Sequence, residues 1–291
     1  MLQEILEQLF EFAAKSIPDE QILAAKKTYQ METGILYEDD KSYNSRMALF
    51  LEWYLFNNCA PKSSKTILEV LLENNSEECN TDKLKIYKSI SGSIQSLFFI
   101  QKVHDDSVKA INLFTDEIYL VIEKDSRLIF RENDIFQGRI IYFQKYFHFT
   151  GNFCFHPKKS HKYIRYEIKL IAKSLNQHKK DLAKTEKTLL KANTKLTRHE
   201  LKIENLNEKL HNINSENKVA KLNQKLKLLV EEKETQIRTI QELRNEVSFI
   251  KNDKIKNEGN KQINGLINSL AYKNLKWERS RQIDISDIYK N

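Results

Sequence analysis

Over the first 92 residues, apolar positions recur every three or four places, the spacing of one face of an α-helix. Leu2, Ile5, Leu6, Leu9, Phe10 and Ala13 predict an amphipathic helix of about four turns. Pro18 with Asp19 and Glu20 marks a second start, since proline fits a first turn and acids suit a helix N-terminus; Gly34 ends it. Residues 44–58, NSRMALFLEWYLFNN, are apolar almost all round, the mark of a buried helix. Ser63 or Ser64 caps a further helix through KTILEVLLENN, and a short one covers 82–90.

At Ser93 the period changes. SLFFIQKV, VKAINLF, EIYLVIE, RLIF, DIFQGRIIYF, KYFHFT and NFCFH are short β-branched and aromatic runs, broken by HDD, KDS, REND and TGN. Runs at this spacing predict a small antiparallel barrel or sandwich over 93–157, with Gly138 supplying a bulge or bend. In RIIYF and KYFHF both parities are apolar, as in strands buried on both faces. The aromatics of this stretch are therefore read as core.

Beyond Pro157 the chain reads as helix. Leu175, Leu182, Leu189, Leu196, Ile203 and Leu210 fall at intervals of seven, a heptad seam that predicts a coiled coil over 160–257. The companion series is weaker: His178, Thr185, Ala192, His199, Leu206 and Ile213. The polar run HNINSEN (211–217) interrupts it, and Leu226, Val230, Ile237, Ile240 and Val247 resume in a shifted phase. Two arrangements follow. An uninterrupted rod of roughly 95 residues would reach about 140 Å and pair with a second copy in a parallel dimer. A break or hairpin at 211–224 would instead fold two arms back antiparallel. The last segment, 259–291, is a short amphipathic tail with Ile263, Leu266, Ile267 and Leu270 on one side; Trp277, Arg279 and Arg281 form its candidate docking motif. The fold class expected is an α+β head (helices 1–92, β domain 93–157) followed by a long C-terminal coiled coil.

Composition narrows the function. Only 6 Gly and 3 Pro in 291 residues agree with long helices. Cys59, Cys79 and Cys154 are an odd number at spacings matching no disulfide framework or zinc motif, which predicts a reducing cytoplasm. The N-terminus lacks a basic leader and no window of 18 uncharged apolar residues occurs, so no signal peptide or membrane span is expected. The net charge of +8 divides into −4 for residues 1–160, +9 for 161–260 and +3 for 261–291. Basicity thus belongs to the predicted stalk, although enrichment in Lys, Asn and Ile together also suits AT-rich coding. Lys179, Lys180 and Lys184 lie in a cationic cluster at its start and are candidate phosphate contacts.

Catalytic signatures are missing. His148, Cys154, His156 and His161 fall within fourteen residues, but Cys-x-His is their only tight pair, and zinc sites want paired short spacings. With Phe153 and Phe155 inward, Cys154 and His156 are expected on a strand's outer face. No nucleophile elbow or phosphate loop occurs, nor an aromatic RNA-recognition strand. Glu38, Asp39 and Asp40, like Glu132 and Asp134, read as solvated loop acids. Neither an enzyme nor a bound metal or cofactor is expected.

RMALFLEWYLFNN, followed by SIQSLFFIQKV, VKAINLF, EIYLVIE and DIFQGRIIYF, resembles a group of uncharacterised bacterial proteins over about residues 40–157. These pair a helical front with a small β module, and some add a C-terminal SEC-C metal motif. The distinctive part here is Glu52-Trp53-Tyr54-Leu55-Phe56-Asn57; the SEC-C motif itself is absent. The resemblance implies a globular head on an exchangeable extension, and no activity. The function expected is a non-catalytic scaffold or adaptor, a homodimer through its coiled coil presenting heads to protein partners. The alternative is a nucleic-acid-associated protein gripping phosphates with its basic stalk.

Overall fold

A computed structural model of the chain describes residues 2–61, 63, 65–75, 81–212, 216–280 and 282–290. They divide into two compact units, the first made of Met1–Lys169 with Ile263–Asn291 and the second of Leu170–Gln262. The second unit is therefore an insertion within the sequence of the first.

The first unit opens with helices α1 (Leu2–Ser16), α2 (Asp19–Thr33), α3 (Tyr43–Phe56), α4 (Ile67–Asn74) and α5 (Thr81–Ser91). Gly34 ends α2 at φ 89°, a conformation glycine adopts without a Cβ clash. The cap of α4 differs from expectation. Thr66 fills it, in a reciprocal capping box with Glu69, because only that pair satisfies two free amides at once. Ser63 accepts from the Lys65 amide instead, and Ser64 lies outside the described residues.

Strands β1 (Ile94–Val103), β2 (Ser107–Asn112), β3 (Ile118–Ile122), β4 (Ile135–Phe143), β5 (Tyr146–Phe149) and β6 (Cys154–His156) form one six-stranded sheet in the order β1-β2-β3-β5-β4-β6, with β1 also pairing β4. This mixed sheet replaces the expected antiparallel barrel or sandwich, since β3 and β5 run parallel through Val121–Phe147 and Ile122–His148. RLIF, read as a strand, is a single helical turn, α6 (Ser126–Ile129). Ser126 anchors it to the loop after β1, its hydroxyl donating to the Asp105 carbonyl at 3.1 Å and its amide to the same oxygen at 3.3 Å.

Strand β4 explains the aromatic wealth of its region. Alternate residues point to opposite faces. Ile141 and Phe143 join a helical core of Leu9, Phe50, Leu55, Leu68 and Ile90, while Phe136 and Ile140 join Phe98, Val121, Phe130 and Phe149. Gly138 makes neither a bulge nor a bend, for it keeps register opposite Ser96. It is small for a packing reason: a Cβ there would meet the Phe136 ring at 2.9 Å. The one register shift lies in β1, between Ile100 and Lys102.

Helix α7 (His161–His211) follows, then α8 (Glu216–Phe249), a π-helical stretch (Ile250–Glu258), α9 (Gly259–Arg279) and α10 (Ile285–Lys290). Within the second unit α7 and α8 run antiparallel, fixed by three contacts. Gln236 donates to the Ala192 carbonyl at 3.3 Å, Lys233 pairs with Glu200 at 3.2 Å, and Gly259 sits where a Cβ would lie 2.7 Å from Leu175. The chain thus breaks after His211 and is no continuous rod; residues 213–215 of HNINSEN lie outside the described set.

Candidate functional site

Three places gather functional chemistry, beginning with the pair Glu52 and Arg139. Helix α3 carries Glu52, and β4 carries Arg139 toward it; their side chains are 2% and 1% exposed. Arg139 Nε donates to Glu52 Oε2 at 3.3 Å and Nη1 to Ser93 Oγ at 2.9 Å, while Nη2 donates to the Asn57 side-chain carbonyl. The guanidinium also lies 4.7 Å from the centre of the Phe56 ring. Glu52 Oε1 accepts from Asn152 at 2.8 Å. Glu52 and Phe56, one turn apart on α3, and Asn57, the residue capping its C-terminus, therefore close around a single cation. Burial pushes the carboxyl up and the guanidinium down, and each partner's charge opposes that shift. The pair thus meets face to face inside the first unit, the remaining donors of Arg139 going to Ser93 and Asn57. Beside it a cleft of ≈ 370 Å³ opens between α1 and α3, lined by Leu6, Phe10, Ala48 and Leu51 with Glu7 and Glu11 at its edge.

The second place is centred on Arg46, a residue that the sequence reading passes over. Its guanidinium donates to the Ala271 carbonyl at 3.0 Å, to Asn274 Oδ1 at 2.7 Å and to Ser42 Oγ at 2.7 Å. Asn274 in turn donates to the Phe155 carbonyl at 2.8 Å. These bonds tie α9 onto α3 and β6, so the segment expected as a free docking tail is part of the first unit. Arg279 is occupied in the same way, donating to Asp40 Oδ1 at 2.8 Å and to the Ile35 carbonyl at 2.7 Å, over the Tyr37 ring. The hydrogen bond from Arg279, helped by the Tyr37 amide and the Arg279 charge, holds the Asp40 carboxyl below the usual range, so this loop acid is a fastener and is not merely solvated. Trp277 is half-buried, and Arg281 lies outside the described residues.

The same return of α9 and α10 corrects the reading of β6. Cys154 and His156 are buried rather than on an outer face, with His156 Nδ1 3.2 Å from the Tyr289 hydroxyl. Phe153 and Phe155 do pack into the aromatic core, so β6 is covered on both sides. Burial raises the Cys154 thiol to about 11 and lowers His156 to about 3, the latter helped by the nearby Arg46 and His161 charges. Both groups are therefore uncharged at neutral pH. Among the described residues, no three of His, Cys, Asp and Glu gather in a metal-holding arrangement.

The third place is the inserted pair of helices. Leu175, Leu182, Leu189, Leu196, Ile203 and Leu210 are all half-buried, and the weaker companions Thr185, Ala192, His199 and Leu206 are the more deeply buried set. From this side of α7, Ala192 and His199 reach α8 through Gln236–Ala192 at 3.3 Å and His199–Glu232 at 3.9 Å. The seam thus lies on the side of α7 that α8 of the same chain packs against. On α8 the inward positions are Val219, Leu222, Leu226, Leu229, Lys233, Gln236, Ile240, Leu243, Val247 and Ile250, with Val230 and Ile237 exposed. After Ile250 the shielded positions are Lys254, Ile255, Glu258 and Gly259, within and just after the π-helical stretch.

The outward side of α7 is basic. Lys173, Lys180, Lys184, Lys187, Lys191, Lys195, Arg198 and Lys202 are all exposed. At about 100° per residue they fall within roughly 40° of one line, about 140° from the buried seam. Asp181, Glu186 and Glu200, the acids between Lys173 and Lys202, fall at least about 80° off that line. Of the candidate phosphate contacts, Lys180 and Lys184 lie on the stripe, and Lys179 points about 100° away from Lys180.

The model of a family of unknown function, DUF7986, matches residues 2–196, from α1 well into α7. Neither the curated proteins nor the solved structures give a match. The chain belongs to the DUF7986 family.

Proposed function

We propose that this family member is a non-catalytic binding protein of adaptor type. The inserted arm, residues 170–262, carries the surfaces that partners meet. The observation supporting this most is the internal use of the Leu175–Leu210 seam, since apolar positions spent within one chain leave the outward faces of the arm free. The arm is read as a two-stranded antiparallel coiled coil in a single chain, its seven-residue spacing kept on both α7 and α8. The working form is then a monomer in place of the parallel dimer. The buried Glu52–Arg139 pair and the buried, uncharged Cys154 and His156 agree with a head that supports rather than reacts. A cytoplasmic setting is part of the same reading, supported by the three unframed cysteines.

A cysteine pair tests the arm. With Cys59→Ser and Cys79→Ser as background, Ala192→Cys combined with Gln236→Cys forms an intrachain disulfide, and light scattering gives a monomer. Covalent dimers under mild oxidation would overturn the arrangement. The adaptor role is tested by affinity capture with the full chain against Leu189→Pro, whose kink breaks the arm. Partners retained by the broken arm would sink the role, whereas their loss with unchanged Trp fluorescence from the head supports it.

A further inference from the structure

We infer that the outward face of α7 is a binding surface for the phosphate backbone of duplex nucleic acid, read without sequence preference. The inference rests on the reading of residues 170–262 as a self-paired arm, and it names the partner of that arm. Its ground is the eight-cation stripe from Lys173 to Lys202, every member exposed. Spread over 29 residue steps at about 1.5 Å each, the stripe is about 44 Å long, with a cation at almost every turn. A straight row of this kind meets a linear polyanion, whose neutralised phosphates release counterions in proportion to the contacts made.

Abundance of lysine does not produce this placement. On α8, Glu231, Glu232, Glu234, Glu242 and Glu246 stand among Lys233, Arg238 and Arg244, so the facing helix of the same arm carries mixed charge. The chemistry also separates candidate polyanions. Single strands are held by bases stacking on aromatic side chains, and α7 carries no aromatic residue from Lys173 to Lys202. Insertion into a membrane interface takes a continuous apolar face beside the cations, and beside this stripe α7 exposes only the separated Leu190 and Leu201 of its large apolar side chains. Backbone contact with a duplex needs neither feature.

The experiment is fluorescence anisotropy of the full chain with a labelled 30-base-pair DNA duplex over a series of salt concentrations. A parallel series uses an RNA duplex of the same sequence, and sedimentation with vesicles containing phosphatidylserine forms a third arm. If four to six cations meet phosphates, log K falls against log salt with a slope of about −3.6 to −5.4. Lys180→Gln, Lys184→Gln, Lys187→Gln and Lys191→Gln together flatten that slope by about 3 and weaken binding at least about fiftyfold at 0.1 M salt. A control with equal charge removed from α8 (Lys225, Lys227, Arg238 and Arg244, each to Gln) loses less than about threefold, as expected of contacts the strand does not make. Binding to both duplexes, or to one alone, supports the surface and says which helix form it accepts. Equal losses in the two variants would overturn it in favour of bulk charge, and vesicle binding without duplex binding would overturn it in favour of a membrane. Circular dichroism checks that each variant keeps its helix. The disulfide Ala192→Cys/Gln236→Cys reports on the arm separately, so a closed arm that binds no duplex refutes the surface alone.

Discussion

Removing the charge of Glu52 leaves a buried guanidinium without its counter-charge, and the size of the effect follows from the geometry. At 3.3 Å the attraction is about 5 kcal/mol with an effective dielectric of about 20. Breaking one side of such a pair costs about 3–5 kcal/mol, because the remaining ion stays in a medium that cannot solvate it. Glu52→Gln keeps the shape and an oxygen for Asn152, so about 3 kcal/mol is expected, the low end of that range. Arg139→Met should cost a similar amount, as it strands Glu52 and empties the donors facing Ser93 and Asn57. The double variant leaves no buried charge, and it should recover about 2–3 kcal/mol of the summed single losses. Both tryptophans, Trp53 and Trp277, lie in the first unit, so urea unfolding followed by Trp fluorescence reports on the head and not the arm. A loss under about 1 kcal/mol for Glu52→Gln, or strict additivity in the double variant, would refute the claim that these charges are held by each other.

Two further measurements follow from individual residues. His156 is buried neutral with its pKa lowered to about 3, so below about 6.5 the unfolded chain takes up a proton that the folded chain refuses. Stability therefore falls as pH drops from 6.5 toward 3, by about 2 kcal/mol between pH 7 and pH 5, and His156→Phe should flatten this slope in urea titrations. Two glycines of α9 give opposite signs. Gly259→Ala places a methyl 2.7 Å from Leu175 and should cost about 1–3 kcal/mol in thermal unfolding. Gly265→Ala meets nothing within 4 Å and should add up to about 1 kcal/mol, and the same sign for both would contradict the packing described.

Much of the fold is legible in the order of residues, because periodicity records which side of an element is apolar. The starts of α1 and α2, the two-faced burial of β4 and the seven-residue spacing of α7 all come from that record. The candidate sites are legible only in fragments. Glu52 and Asn57 stand in the distinctive run of α3, but the cation they grip lies more than 80 residues later and gives no local sign of it. Arg46 gives no signal either, since its partners Ala271 and Asn274 follow by 225 and 228 residues. The basic stripe is half legible: a lysine-rich segment is plain, and its arrangement on one line emerges only when α7 is projected against its buried seam.

Residue order alone specifies a helical front, a run of short strands, a heptad-spaced helix and the placing of positive charge in the back half. What covers each apolar face was settled only by the folded chain. Folding turned the heptad seam toward α8 of the same chain, brought α9 back against Arg46, and buried Cys154 and His156 beneath Tyr289. The reason is physical. A repeat fixes the direction of an apolar stripe within one element, but the choice of covering partner depends on turns and long-range polar bonds that no local period encodes.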